Sequence, residues 1–223
     1  MRRKEALDPT AALAGPKFSE AFQQELDELF RWRRDVRRFR TDPLPDGLLE
    51  RLVERAEMAP SVGLSQPWRF VRVKSPYRRK LVVENFEAAN REALSAYTGE
   101  QAQNYAQLKL AGLREAPEQL AVFADTTTSS GAGLGRRTMP QMLQYSVVCA
   151  VHMLWLAARA QGVGVGWVSI FDPEALVKCL GVPESWDLVA YLCIGYPVEQ
   201  HTDPELDRQR WERRNKVVVM IER

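Results

Sequence analysis

The chain has 223 residues, 45% of them hydrophobic, which is enough to bury a substantial core and favours one larger domain over two small ones. Its 31 Lys plus Arg against 29 Asp plus Glu leave a net charge of +2, too near neutral for the broad phosphate-neutralising surface of a nucleic-acid binder, so any anion site is local. The two histidines, His152 and His201, stand at no ligand spacing from a Cys or carboxylate, which sets aside a metal centre and the imidazole-dependent hydrolases and leaves redox cofactor chemistry as the more natural class.

Residues 1–17 carry Pro9, Gly15 and Pro16 without periodicity and read as a flexible tail, ahead of a single domain over 18–223. Neither this start nor any later stretch has the continuous apolar run of a leader or a membrane span. Cys149, Cys179 and Cys193 form no CxxC pair and read as reduced, buried thiols. A cytoplasmic protein without membrane or nucleic-acid partners is therefore expected.

Phe18, Phe22, Leu26, Leu29 and Phe30 recur at helical spacing and predict an amphipathic helix running toward Arg33-Arg34-Asp35-Val36-Arg37. A second helix, capped by Asp46, carries Leu49, Leu52, Val53 and Ala56 on one face and stops at Pro60. The loop Ser61 to Trp68 leads into a strand over 69–74. Residues 77–113 are polar and helix-forming, with a break at Gly99, and the insertion is long enough to include a lid that excludes water.

Residues 120–124 are continuously apolar and read as a strand covered on both faces. Apolar residues cover nearly the whole circumference of a helix over 140–161, placing His152 in packing, and a central, buried position follows. Gly162 to Ser169 reads as a turn into a strand, followed by a helix over 173–180 and a strand over 188–194. A basic segment over 208–216 precedes Val217 to Ile221, a last strand with no local partner. Long helices beside scattered strands make an α+β fold.

Arg33 and Arg37, four residues apart, would share a helical face, and with Arg34 and Arg38 could converge on one phosphate. Taken alone, such a run reads as a solvated basic face. Asp35, among four arginines, would have its carboxylate form favoured and could accept a proton from a bound hydroxyl, or could simply hold the arginines apart. The glycines at 131, 133 and 135 do not fit a dinucleotide loop, since GxGxG followed by Arg136 and Arg137 lacks the required spacing, and they read as a mobile surface loop.

Arg33 to Arg37, then Ala59 to Phe70, then Leu180-Gly181-Val182-Pro183-Glu184 leading to Ile194-Gly195-Tyr196-Pro197, resemble the nitroreductase-like flavoproteins over nearly the whole chain. The resemblance implies an α+β homodimer with a central mixed or antiparallel sheet flanked by helices. Its two FMN sites would lie at the subunit interface, with a domain-swapped C-terminal strand.

It also implies FMN contacts from Arg33, Arg34, Asp35, Val36 and Arg37. Ser61, Gly63, Ser65 and Gln66 would meet the ring edge, with Ser169 and Ile170 beside the flavin, and Arg208, Arg213 or Arg214 would add to phosphate binding. Where most members have Ser, this chain has Asp35. That departure, together with Ser169, resembles the branch that consumes its flavin, in which reduced FMN is a substrate, O2 is the oxidant and a separate flavin reductase supplies FMNH2. Asp35 would then be the base in fragmentation of the ribityl chain, and Ser169 would hold or relay a proton. The same motifs also permit an NAD(P)H-dependent nitroreductase or quinone reductase that keeps its FMN, or a flavin-binding module without turnover.

Overall fold

A computed structural model of the chain describes residues 15–215 and 217–223. The tail expected over 1–17 lies outside the described residues up to residue 14, as does Lys216 of the basic segment. No helix among the described residues is long and apolar enough to cross a membrane.

Ser19 caps α1 (Glu20–Trp32), its Oγ accepting the Phe22 amide at 3.2 Å. Helix α2 (Leu48–Ala56) is entered not through an Asp46 cap but through Gly47, whose φ of +73° is the left-handed conformation that glycine takes without steric cost. Strand β1 (Trp68–Arg72) follows, and the insertion folds as α3 (Pro76–Ser95), capped by Ser75, and α4 (Gly99–Gln107). Then come β2 (Glu118–Asp125), α5 (Met142–Ala160), β3 (Gly164–Val168), α6 (Pro173–Leu180), β4 (Trp186–Gly195) and the short α7 (Glu205–Arg208).

The sheet has the order β1-β2-β4-β3, and every neighbouring pair is antiparallel rather than mixed. Six consecutive residues of β2 are buried, because helices cover both faces. Leu120, Val122 and Ala124 pack toward Leu52 of α2 and Val147, Val151 and Leu154 of α5. Ala121 and Phe123 point the other way, into a layer with Val82 of α3, Leu176 and Leu180 of α6, and Tyr191 of β4. A period-two strand between two helical layers needs an apolar residue at every position, each large one contributing about 1.5–3 kcal/mol of burial.

Helix α5 buries eight residues against this sheet but leaves Tyr145, Val148, Cys149 and His152 exposed along one flank. The packed position expected for His152 and the burial expected for Cys149 are therefore wrong for the single chain. The sheet covers only one side of the helix, and apolar content on the other side does not create a partner. Of the other thiols, Cys193 is buried and Cys179 half-buried, and all three are unpaired. Helix α1 buries no residue, and Phe18, Phe22 and Phe30 stay exposed. Residues 217–221 form no strand, none of the described strands pairs with them, and all five are exposed.

Candidate functional site

The arginine run is not helical. Helix α1 ends at Trp32, Arg33 turns extended (φ −70°, ψ 111°), and Asp35 bridges Val165 in parallel, the Val36 amide donating to the Val165 carbonyl at 3.0 Å. Arg33 and Arg37 therefore share no helical face. Pairing with the free edge of β3 overrides the local four-residue spacing, since it satisfies backbone groups that an edge strand leaves open.

Glycines make this approach possible. A Cβ on Gly166 would lie 2.0 Å from the Val36 carbonyl oxygen, and one on Gly164 would lie 2.8 Å from Val36 Cγ2. Gly164 and Gly166, in the segment that reads from sequence as a turn into a strand, form the trough in which the run lies, whereas Gly162 (φ +72°) belongs to the turn before it. Across it Asp35 accepts the Trp167 amide on Oδ1 at 2.8 Å and Arg37 Nε on Oδ2 at 2.8 Å.

The Asp35 side chain retains 31% of its surface in solvent against 13% for Arg37. Burial is the largest influence on Asp35 and raises its pKa above the ordinary aspartate value; the bond and charge of Arg37 and the Trp167 amide only partly oppose it. The arginines do not hold this carboxyl down as expected, because most of them are directed elsewhere. Asp35 is thus a stronger base than a free aspartate.

Arg33 stacks over the Trp155 ring of α5, 5.0 Å from its centroid. Burial is the largest influence on Arg33 and Arg34 and lowers the pKa of both; at Arg33 the Asp35 charge opposes it and Arg214 adds to it, and at Arg34 both Arg33 and Arg214 add to it while Asp203 opposes. Arg34 donates to the Thr202 carbonyl at 2.7 Å, and Arg38 is held by Glu205 at 2.7 Å and Glu199 at 3.1 Å. Arg34, Asp35, Arg37, Arg38, Asp203 and Arg208 line one cleft. Three guanidinium groups that repel one another beside this cleft fit a dianionic phosphate, which would exchange repulsion for charge-assisted hydrogen bonds. Of the C-terminal candidates, Arg208 is tied to Asp203 at 3.3 Å on the cleft wall, and Arg214 joins Arg33 and Arg34. Arg213 is exposed.

The second motif lies apart. The cleft lining includes none of Ser61, Gly63, Ser65 or Gln66. Their loop is held by the Ser61 hydroxyl, which accepts the Gln66 amide at 3.1 Å, and by the Val62 amide donating to Ser146 at 3.0 Å. Leu64 and Gln66 are both left-handed, with φ of +54° and +43°. Ser65 is 3% exposed, and its hydroxyl has no partner among the described residues. An orphaned buried hydroxyl on such a loop is suited to meet a polar ring edge.

The loop over 131–137, expected to be a mobile surface segment, instead backs this motif. A Cβ on Gly131 would sit 2.4 Å from the Gly63 carbonyl oxygen. Ser169 is exposed and Ile170 half-buried just beyond β3, with Ser169 two residues on from the amide that Asp35 accepts.

Residues 30–196 match the model of the Nitroreductase family. A 5,6-dimethylbenzimidazole synthase of Rhodospirillum rubrum is 54% identical over 200 residues, covering 90% of this chain and 95% of that protein. One of the same name from Rhodobacter capsulatus is 50% identical over 195 residues, covering 87% and 94%. Among solved structures, oxidized iodotyrosine deiodinase bound to FMN and 3-iodo-L-tyrosine superposes with a TM-score of 0.71 at 25% identity, covering 89% of this chain and 99% of that one.

Proposed function

Because the chain belongs to the nitroreductase family, we propose that it takes reduced FMN and O2 as substrates and forms 5,6-dimethylbenzimidazole, the lower ligand of vitamin B12. The ribityl phosphate leaves as a sugar phosphate such as erythrose 4-phosphate. The observation that carries this reading is the identity of 50–54% with proteins of that name over at least 87% of the chain. The site geometry is consistent with it.

Reduced FMN brings the electrons for oxygen and the carbon skeleton of the product. The protein's share is to bind, orient and move protons. Arg33, Arg34 and Arg214 take the phosphate, and the fixed Arg37 and Val36 lie along the ribityl chain. Asp35, its pKa raised by burial, accepts a hydroxyl proton, a step for which an unperturbed aspartate is too weak a base. Ser169 and Ile170 sit at the flavin, and the Ser169 hydroxyl holds or relays a proton there.

The loop with Ser61, Gly63, Ser65 and Gln66 completes the site from the second subunit of a homodimer. The exposed Phe22 and Phe30 of α1, Tyr145 and Val148 of α5, and the C-terminal segment 217–221 are apolar surfaces that such a partner would cover. A separate flavin reductase delivers FMNH2, and the unpaired thiols suit a cytoplasmic setting.

Aerobic incubation with chemically reduced FMN, followed by mass spectrometry, tests the reading. Loss of flavin matched by appearance of 5,6-dimethylbenzimidazole is expected. Flavin that survives many cycles of NAD(P)H oxidation would replace this function with that of a nitroreductase or quinone reductase.

A further inference from the structure

The segment after Pro204 is held at two points. At its start Glu205, whose side chain is 8% exposed, receives Arg38 at 2.7 Å, which binds α7 to the arginine run. At its end the Trp211 ring meets Tyr97 edge-on (centroids 5.4 Å apart, 89°) and Tyr105 (5.9 Å, 63°), and those two rings lie 5.0 Å apart. Tyr105 is buried in α4, and its hydroxyl donates to Asn90 of α3 at 2.7 Å, so the cluster joins both helices of the insertion.

Between these points the chain reverses sharply. The Trp211 amide returns to the Leu206 carbonyl at 2.9 Å, and Arg210 takes a left-handed conformation with φ of +57°. A non-glycine residue there costs roughly 1 kcal/mol or more, which aromatic packing at the next residue offsets.

We infer that Trp211 is a positioning residue: by docking on Tyr97 and Tyr105 it holds the reversed C-terminal segment so that Arg214 stands with Arg33 and Arg34 at the phosphate end of the flavin. The influence of Arg214 on both Arg33 and Arg34 supports this placement. Among the described residues, the backbone amides at the start of 212–215 bond only within the segment after Pro204, that of Glu212 to the Leu206 carbonyl at 3.4 Å and that of Arg213 to the Glu212 side chain at 2.8 Å, so the aromatic anchor is what ties this stretch to the insertion. The inference rests on the FMN reading above.

Riboflavin, which lacks the phosphate, separates the two. Equilibrium titration of the full chain, read by flavin fluorescence, should give tighter binding of FMN than of riboflavin. In Trp211→Ala, FMN should weaken about tenfold with riboflavin unchanged, a difference of about 1.4 kcal/mol at the phosphate alone. Trp211→Phe should restore most of it. In an Arg214→Ala background, Trp211→Ala should cost little more, since the two act as one unit. The steady-state signature is a raised KM for reduced FMN with kcat nearly kept. Equal weakening of both flavins, no weakening, or additive losses with Arg214→Ala would each overturn the role of Trp211. A parent protein that binds riboflavin as tightly as FMN would overturn the phosphate site itself.

Discussion

Asp35 and Trp167 are joined across the edge of the sheet, the Trp167 amide donating to Asp35 Oδ1 at 2.8 Å. This bond places a carboxylate on the backbone of β3 while its other oxygen is occupied by Arg37. In Asp35→Asn the side-chain carbonyl can keep the Trp167 bond while the amide NH2 gives up the bond from Arg37, so the contact with β3 survives and basicity does not. FMN affinity should stay within about threefold of the parent, whereas formation of 5,6-dimethylbenzimidazole should fall by a factor of at least about 100, the usual worth of a general base. Product quantified by mass spectrometry checks this, and an unchanged rate would remove Asp35 from the mechanism.

The pH dependence follows from the sign of the Asp35 shift. A base works when deprotonated, and burial raises its pKa, so kcat/KM should fall with acidification along a limb lying above the ordinary aspartate value of about 4. Stability runs the opposite way. A carboxyl that binds its proton more tightly when folded costs nothing below the unfolded value; the cost grows as pH rises through the folded value and is constant beyond it. Asp35→Asn removes that cost. Because the variant also loses the Arg37 ion pair, its melting temperature relative to the parent's should be lowest near a pH of about 4 and should rise toward neutral pH.

Gly166 is the tightest point of the trough, and Gly166→Ala would drive a methyl to 2.0 Å from the Val36 carbonyl oxygen. Backbone cannot yield as a side-chain tip can, so the run must move off β3. We expect a loss of about 1–3 kcal/mol in stability, the usual cost of overpacking, and FMN binding weakened along with turnover. Chemical denaturation and flavin titration measure the two. A variant with parental values for both would show that the contact of Asp35 with β3 does not set the site.

Much of the fold is legible where the signal is local. Helix α6 runs from Pro173 to Leu180 as expected, because Asp172 caps it, Pro173 suits its first turn and Gly181 takes the left-handed position that ends it. The apolar run in β2 likewise marks a strand covered on both faces. The arginine run is not legible, because its four-residue spacing is a local signal overruled by pairing with β3, 130 residues away in sequence. The glycines at 164 and 166 could have disclosed it, since alternate glycines on one face of a strand mark a close backbone approach. Burial of Cys149 and His152 is misread for a related reason: composition tells that a helix flank is apolar, not what lies against it. At the site, Asp35 and the arginines are legible as residue types, but the direction of the Asp35 shift is not, because it depends on burial that only the fold creates.

Arg34 donates to the Thr202 carbonyl and lies beside Arg33 and Arg214. Removing one guanidinium from a phosphate removes charge-assisted bonds worth about 1.5–3 kcal/mol. Arg34→Ala and Arg33→Ala should each weaken FMN about tenfold to a hundredfold while riboflavin binding changes little. Arg33→Ala should also uncover the Trp155 ring, so the intrinsic tryptophan emission should shift in that variant and not in Arg34→Ala. Equal losses for FMN and riboflavin would place these arginines away from the phosphate.

The separation of Arg34 and Asp35 from Ser65 and Gln66 in one chain makes a prediction about two chains. If each site joins the cleft of one subunit to the 61–66 loop of the other, a dimer with one damaged cleft and one damaged loop retains one intact site. Asp35→Asn damages the first; Gly63→Val damages the second, since Gly63 has φ of +56° and its Cβ would meet the Leu134 carbonyl oxygen at 3.0 Å. Each variant alone should be nearly inactive. Unfolded and refolded together in equal amounts, they should form half mixed dimers, each with one working site, and recover about a quarter of the parental rate. Recovery confined to the refolded mixture would show that both chains build the site. No recovery, with mixed dimers verified by mass, would show that cleft and loop of the same chain must close on one flavin.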